Sequence, residues 1–245
     1  MTTRGAFVSR IRAEMAKTRG LFPATVSERP AAPAAVAETI RRELAERWPE
    51  TLERFRREFE RVGGVFHRVA VAAEVPTVVA RIARERQSHR LIAWPAAVLG
   101  VDVTVLVREG FEIASMPGGE VGAATERGAL RETIAAADLG VTGADLAVAE
   151  TGNLVLVSGR GRPRSTSLLP PFHVAVFDRS VLVESLQQMG VFLEAWHAGA
   201  APADGGAINV ITGPSRTADI ELTLTRGVHG PKEVHAVFVD TPLHG

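Results

Sequence analysis

Beyond Gly63-Gly64 the chain switches its hydrophobic period, and that switch restricts the available folds more than any other feature. Short apolar runs now alternate with stretches of helical spacing. Phe66 to Ala72 precedes a helix from Thr77 to His89; Leu91 to Trp94 and Val101 to Val107 precede a helix around Glu126 to Ala137; Leu139 to Thr142 follows. Strands separated by helices predict a parallel sheet joined by crossovers. Ala144 to Ala149 and Leu154 to Ser158 flank Glu150-Thr151-Gly152-Asn153, whose Gly-Asn suits a tight hairpin turn, so an antiparallel pair interrupts the parallel order. Val174 to Phe177, a helix from Ser180 to His197, Ile208 to Ile211 and Val234 to Val239 complete the alternation. The expected class is α/β: three layers around a mostly parallel sheet, with the hairpin inserted or at its edge.

The segment before this switch reads differently. Phe7, Ile11 and Met15 lie on one face of a short helix, and a linker containing Pro23, Pro30 and Pro33 follows. From Val36, the apolar positions Ile40, Leu44, Trp48, Leu52, Phe55, Phe59 and Val62 recur every three or four residues. This predicts one helix kinked near Pro49, or two helices meeting there. Residues 1–62 are therefore expected to form a helical extension, an oligomerisation arm or a lid, and residues 63–245 the α/β domain.

Charge and composition exclude several function classes. The 28 basic and 28 acidic residues cancel, so no global field draws the chain to nucleic acid or an anionic membrane. No apolar run approaches the roughly 18 residues of a membrane span, and a cytoplasmic protein is expected. There is no Cys, so an iron–sulfur cluster cannot be held here through thiolates; a redox centre in the same pathway must sit on a flavin or another polypeptide. The seven His are scattered singly and HExxH is absent, so no metal site is expected. No GxGxxG follows the first strand, and GRGRPRST at 159–166 lacks the Lys of a phosphate-binding loop.

Three constellations carry possible chemistry. In GVTGADLAVAETGN, Thr142-Gly143 sits at a strand end, with Asp145 two residues on and Glu150 before Thr151-Gly152. Asp145 and Glu150 read either as a general acid/base pair or as turn-capping carboxylates. In RGRPRSTS, Arg160, Arg162 and Arg164 precede hydroxyl residues. They form either an anion clamp or a solvated loop that protects a sheet edge. In ITGPSRTADIE, a strand runs into Gly213-Pro214-Ser215-Arg216-Thr217, and Ser215, with Asp219 and the apolar Ala218, Ile220, Leu222 and Leu224, predicts a helix start. Backbone N–H groups and Arg216 at a helix N-terminus suit a small carboxylate. His229, flanked by glycines in RGVHGP, and His173, opening the strand after Pro170-Pro171, are further proton-transfer candidates.

GADLAVAETGNLVLVSG, LLPPFHVAVFD and TGPSRTADIELTLTRGVHGPKEVHAV together resemble the LUD (lactate utilisation) domain family, over about residues 64 to 240. The resemblance implies the fold of ribose-phosphate isomerase, glucosamine-phosphate deaminase and CoA transferases. It also implies a part in oxidising L-lactate to pyruvate beside iron–sulfur partner proteins, with no cofactor bound by this chain and lactate or pyruvate as the small carboxylate. Asn153 stands where members of the family often carry Thr, which removes a hydroxyl and keeps the turn. The alternative is a self-sufficient sugar-phosphate isomerase or CoA-transferase-like enzyme, with Glu150 as base or nucleophile and Arg160, Arg162 and Arg164 on phosphate.

Overall fold

The computed structural model describes residues 4–17, 30–119, 121–202, 206–217 and 225–244. Pro23, Ala218, Asp219, Ile220, Leu222 and Leu224, on which parts of the sequence reading rest, lie outside these. The helices are α1 (Arg4–Lys17), α2 (Pro33–Arg61), α3 (Val75–Glu85), α4 (Ala96–Leu99), α5 (Ala124–Ala136), α6 (Ser165–Leu168) and α7 (Leu186–Ala195). The strands run from β1 (Val65–Val69), β2 (Arg90–Ala93), β3 (Glu112–Ser115) and β4 (Leu139–Gly143) to β5 (Leu146–Val148), β6 (Asn153–Ser158), β7 (Phe172–Asp178) and β8 (Leu182–Val183). They end with β9 (Ala207–Ile211), β10 (Arg216–Thr217), β11 (Thr225–Arg226) and β12 (Glu233–Val239).

Six strands form one sheet in the order β1-β12-β7-β4-β2-β3, parallel at every junction. Its central strands, β12, β7 and β4, are buried almost throughout, as continuous apolar runs in a sheet covered on both faces require. The hairpin is not an insertion in this sheet. β5 and β6 pair antiparallel and, with β8 and β9, make a second sheet in the order β8-β5-β6-β9. Side-chain alternation explains how: Ala147, Ala149, Leu154 and Leu156 join the main core, whereas Leu146, Val148, Val155 and Val157 face a second core.

α2 connects the two cores. It runs 29 residues without interruption at Pro49, starting with Pro33 in its first turn, where the missing N–H is harmless. Ala37, Ile40 and Leu44 pack with Phe192 and Trp196 in the second core; Leu52, Phe55 and Phe59 enter the first. Phe55 stacks on Phe59 at 5.4 Å and meets Phe177 edge-on at 5.5 Å.

Two local readings are corrected. Val101 to Val107 is not a strand: Val103–Glu109 forms a 3₁₀ helix whose Asp102 carboxylate accepts the Thr104 N–H at 2.9 Å, burying Val103 and Leu106 while Val105 and Val107 stay exposed. The strand at that edge is β3 instead. Likewise, no single helix spans Ser180 to His197. Leu182–Val183 pairs with β5, and α7 begins only after Ser185, whose hydroxyl accepts the Gln188 N–H.

The hairpin turn fits α2 closely. Gly152 has φ +66°, and a methyl group there would lie 2.4 Å from the Phe59 backbone nitrogen. Gly152→Ala is therefore expected to destabilise the protein by about 3 kcal/mol, a fall in Tm on the order of 10 °C in thermal unfolding, from left-handed strain plus overpacking.

Candidate functional site

The strand-to-hairpin connection after β4 places Asp145 beside the 159–162 turn, which is closed by reciprocal Gly159 and Arg162 backbone bonds of 3.1 and 3.0 Å. Arg162 thereby turns inward. Its Nη2 donates to both Asp145 oxygens at 2.5 and 2.6 Å, its Nη1 donates to Pro202 O at 3.2 Å, and its guanidinium lies 4.7 Å over the Trp94 ring. Asp145 also accepts the Val157 N–H at 2.6 Å, and the two side chains are only 8% and 9% exposed. Both were candidates for chemistry, Asp145 as acid/base and Arg162 as an anion clamp. The structure pairs them with each other, one guanidinium nitrogen reaching both carboxylate oxygens, and the pair uses the charges each would need for a ligand. With Gly143 they border a cavity of about 560 Å³.

Glu150 is also committed. Its carboxylate accepts the Leu186 N–H at 2.8 Å, at the first turn of α7, where a negative charge is favoured. Thr151 Oγ1 is buried and Gly152 sits against α2. The Glu150 turn and the 212–217 loop do come together, as Thr212 Oγ1 donates to Asn153 Oδ1 at 2.9 Å. The Glu150 side chain is nevertheless absent from the residues that line the cavity beside that loop.

That cavity, about 520 Å³, is lined by β9, by Thr212 to Thr217, by Arg164, Ser167 and Leu168 of the α6 segment, and by His229 to Pro231. Its physical basis differs from the sequence expectation. Arg216 and Thr217 do not begin a helix; they form β10, antiparallel to Thr225–Arg226 of β11. The Ser215 N–H donates to Pro231 O at 2.9 Å, its carbonyl accepts from Gly227, and its hydroxyl accepts the His229 N–H at 3.2 Å. Ser215 thus ties the loop to the 227–231 turn. Gly213, at φ +67°, lets the loop pass where a methyl group would lie 2.5 Å from Val62 O, and Pro214 is buried. Arg164 and Arg216 are among the residues that line the cavity, and Arg216 stands in a strand rather than at a helix N-terminus. Asn209 was missed by the sequence reading, although an amide in the otherwise apolar strand 207–211 was the available signal; its Nδ2 donates to Ser158 Oγ at 2.7 Å.

Two buried histidine arrangements complete the polar interior. Thr142 donates to Gly143 O at 2.9 Å, so its hydroxyl accepts from His173 Nε2 at 2.8 Å, leaving Nδ1 as an unpartnered acceptor. Burial, then the charge of His235, push His173 down to about 3. The second was not foreseen. Arg81 donates to His67 Nδ1 at 3.3 Å, which makes His67 Nε2 the donor to His235 Nδ1 at 3.1 Å; His235 Nε2 then donates to Glu233 at 3.3 Å. Arg86 holds the same carboxylate at 2.7 Å. Burial and then His67 lower His235 to about 4, and burial and then Arg81 lower His67. No group of three or more His, Asp or Glu suited to a metal ion occurs among the described residues.

Comparison with known proteins adds the following. Residues 52–239 match the sequence profile of the LUD domain. Lactate utilization protein C of Halalkalibacterium halodurans is 45% identical over 118 residues, 47% of this chain and 50% of that protein. Lactate utilization protein C of an Exiguobacterium species is 42% identical over 111 residues, 45% of this chain and 48% of that protein. The matched part thus spans about half the length of these curated relatives. The crystal structure of a DUF162 family protein from Deinococcus radiodurans superposes with a TM-score of 0.53 at 20% identity, covering 78% of this chain and 98% of that one, which shows a common fold.

Two outcomes test the roles assigned to these groups. Asp145→Asn, which strands a buried guanidinium, should destabilise by about 3 to 5 kcal/mol in denaturant unfolding, and Asp145→Leu combined with Arg162→Met should recover most of it. Acid should also unfold the protein. The unfolded chain binds protons below about pH 6.5 that His173 and His235 refuse in the native state, so stability is full above that pH and is lost as pH falls toward about 4 for His235 and about 3 for His173. Tm measured from pH 7.5 to 4.5 should fall, and His67→Gln with His235→Gln should make the fall shallower.

Proposed function

The chain belongs to the LUD domain family, and from that premise we propose that it is a non-redox component of a cytoplasmic L-lactate utilisation system. The names of its relatives support the pathway, and the observation that carries the site is the polar cavity whose lining includes Arg164, Arg216 and His229. In this reading the two guanidiniums hold the lactate or pyruvate carboxylate, as paired Arg side chains do for planar anions. His229 accepts the hydroxyl proton, and the Cα hydrogen leaves with the two electrons to the partner proteins, whose reduced centres release it as the second proton.

Oxidising lactate to pyruvate releases two electrons and two protons. The electrons pass to the clusters of iron–sulfur partner proteins, because a chain without Cys holds no such cluster through thiolates. The chain itself binds no cofactor; it supplies substrate orientation and a proton acceptor. The parallel six-stranded sheet is read as the arrangement shared with ribose-phosphate isomerase, glucosamine-phosphate deaminase and CoA transferases. A self-sufficient enzyme using Glu150 has less support, since that carboxylate is bound to the start of α7 and Arg162 is bound to Asp145.

The purified chain should be inactive alone and should restore lactate-dependent electron transfer when mixed with its partners. Pyruvate at about 100 times its Kd should stabilise it by about 2.7 kcal/mol in a thermal-shift assay. Arg216→Ala should abolish that shift and the reconstituted activity while leaving the unliganded Tm unchanged. Lactate oxidation by the isolated chain, or an undiminished shift in the variant, would contradict the reading.

A further inference from the structure

The strand order of the main sheet reverses between β2 and β4. From β2 the chain moves outward to β3, whereas the next strand of this sheet after β4 is β7, on the opposite side. In open parallel sheets such a reversal leaves a crevice outside the carboxyl ends of the two strands, and ligands bind there. The cavity of about 560 Å³ beside Asp145 lies at this crevice. Ala97 and Val98, on α4 just beyond β2, line it together with Gly143, which ends β4, and Ala144. A methyl group at Gly143 would lie 3.8 Å from Val176 O, its nearest described neighbour outside the adjoining residues. This glycine therefore leaves space instead of accommodating a packed group.

The Asp145–Arg162 pair borders the same cavity, and its charges cancel while its hydrogen bonds are incomplete. A carboxylate offers about four lone-pair sites and a guanidinium five N–H groups. Asp145 Oδ2 accepts from Arg162 Nη2 and from the Val157 N–H, but Oδ1 accepts from Nη2 alone, so an acceptor site stays open on Oδ1. Arg162 Nη1 gives one N–H to Pro202 O and keeps the other, and the Nε N–H is buried with no acceptor. Unmade hydrogen bonds beside a cavity in the size range of small-molecule sites call for a ligand with a donor and an acceptor on neighbouring atoms. A lone carboxylate finds no uncompensated charge on this pair. A hydrocarbon satisfies neither group, whereas vicinal hydroxyls satisfy both.

We propose that this crevice binds a polyhydroxylated small molecule, one hydroxyl donating to Asp145 Oδ1 and its neighbour accepting from Arg162, with the carbon face of the ligand against Val98 and Ala144. The ion pair stays closed when the site is filled. The site is separate from the Arg164–Arg216 cavity and does not depend on that assignment.

Ligand-observed NMR titration of the full chain with D-ribose, D-glucose and myo-inositol tests this, with cyclohexanol as the single-hydroxyl control. At least one polyol should bind saturably, one per chain, and cyclohexanol should bind about tenfold more weakly or not at all. Asp145→Leu combined with Arg162→Met, which removes donor and acceptor together, should abolish binding. Ala97→Trp, at an exposed position of α4, should do the same by filling the crevice, and it decides the matter if the double variant does not fold. Arg216→Ala should leave the Kd unchanged. The proposal is overturned if no polyol binds, if cyclohexanol binds equally well, if binding survives Ala97→Trp or a folded double variant, or if Arg216→Ala removes it.

Discussion

The arrangement of the chemistry-bearing loops depends on one buried ion pair. Asp145 belongs to the connection between the parallel sheet and the hairpin sheet, and Arg162 to the turn that follows the hairpin. Joining them fixes that turn against Trp94 and holds Arg162 inward, while Arg164 lines the cavity beside β9. A buried pair of this kind adds little net stability, because desolvation of both charges opposes their attraction. Its value is geometric, since neither group can leave without stranding the other.

The second constraint is α2, whose apolar stripe serves two cores in succession. Its carboxyl end is also a template for the loops. Gly152 and Gly213 both approach its backbone more closely than any side chain would allow, and Arg216 lies against Gly63, where a methyl group would be 3.0 Å from Nη2. The 212–217 loop is consequently held from below by a helix terminus and from the side by Ser215 and its bonds to the 227–231 turn. Whatever the cavity binds meets a surface fixed before the ligand arrives, which limits the ordering penalty of association.

Much of this was legible in the sequence wherever periodicity and turn chemistry agreed. β4, the β5–β6 hairpin, β7 and β12 follow from apolar runs bounded by Gly, Pro and Asn, and α2 follows from its spacing of three and four. Errors arose where a local cap outweighed a pattern. Asp102 converts the β-branched run after Val101 into a 3₁₀ helix, and Ser185 starts α7 later than its hydrophobic content suggests. The Ser215 hydroxyl resembled a helix cap but accepts an N–H from across the loop, from His229. The bonding partners of the candidate residues were not legible in the same way. Arg162, Asp145 and Glu150 are all engaged by partners distant in sequence, and the register that brings His67 beside His235 is set by pairing between the first and last strands, which no local pattern encodes.

The proposed function rests on a division of labour among the arginines: Arg162 is held by Asp145, and Arg164 with Arg216 is proposed to receive the small acid. A crystal structure grown in the presence of pyruvate measures this directly. The account predicts a carboxylate between the Arg164 and Arg216 guanidiniums, with Arg162 Nη2 still on both Asp145 oxygens. A carboxylate bound to Arg162 with Asp145 displaced, or seated beside Glu150, would contradict it.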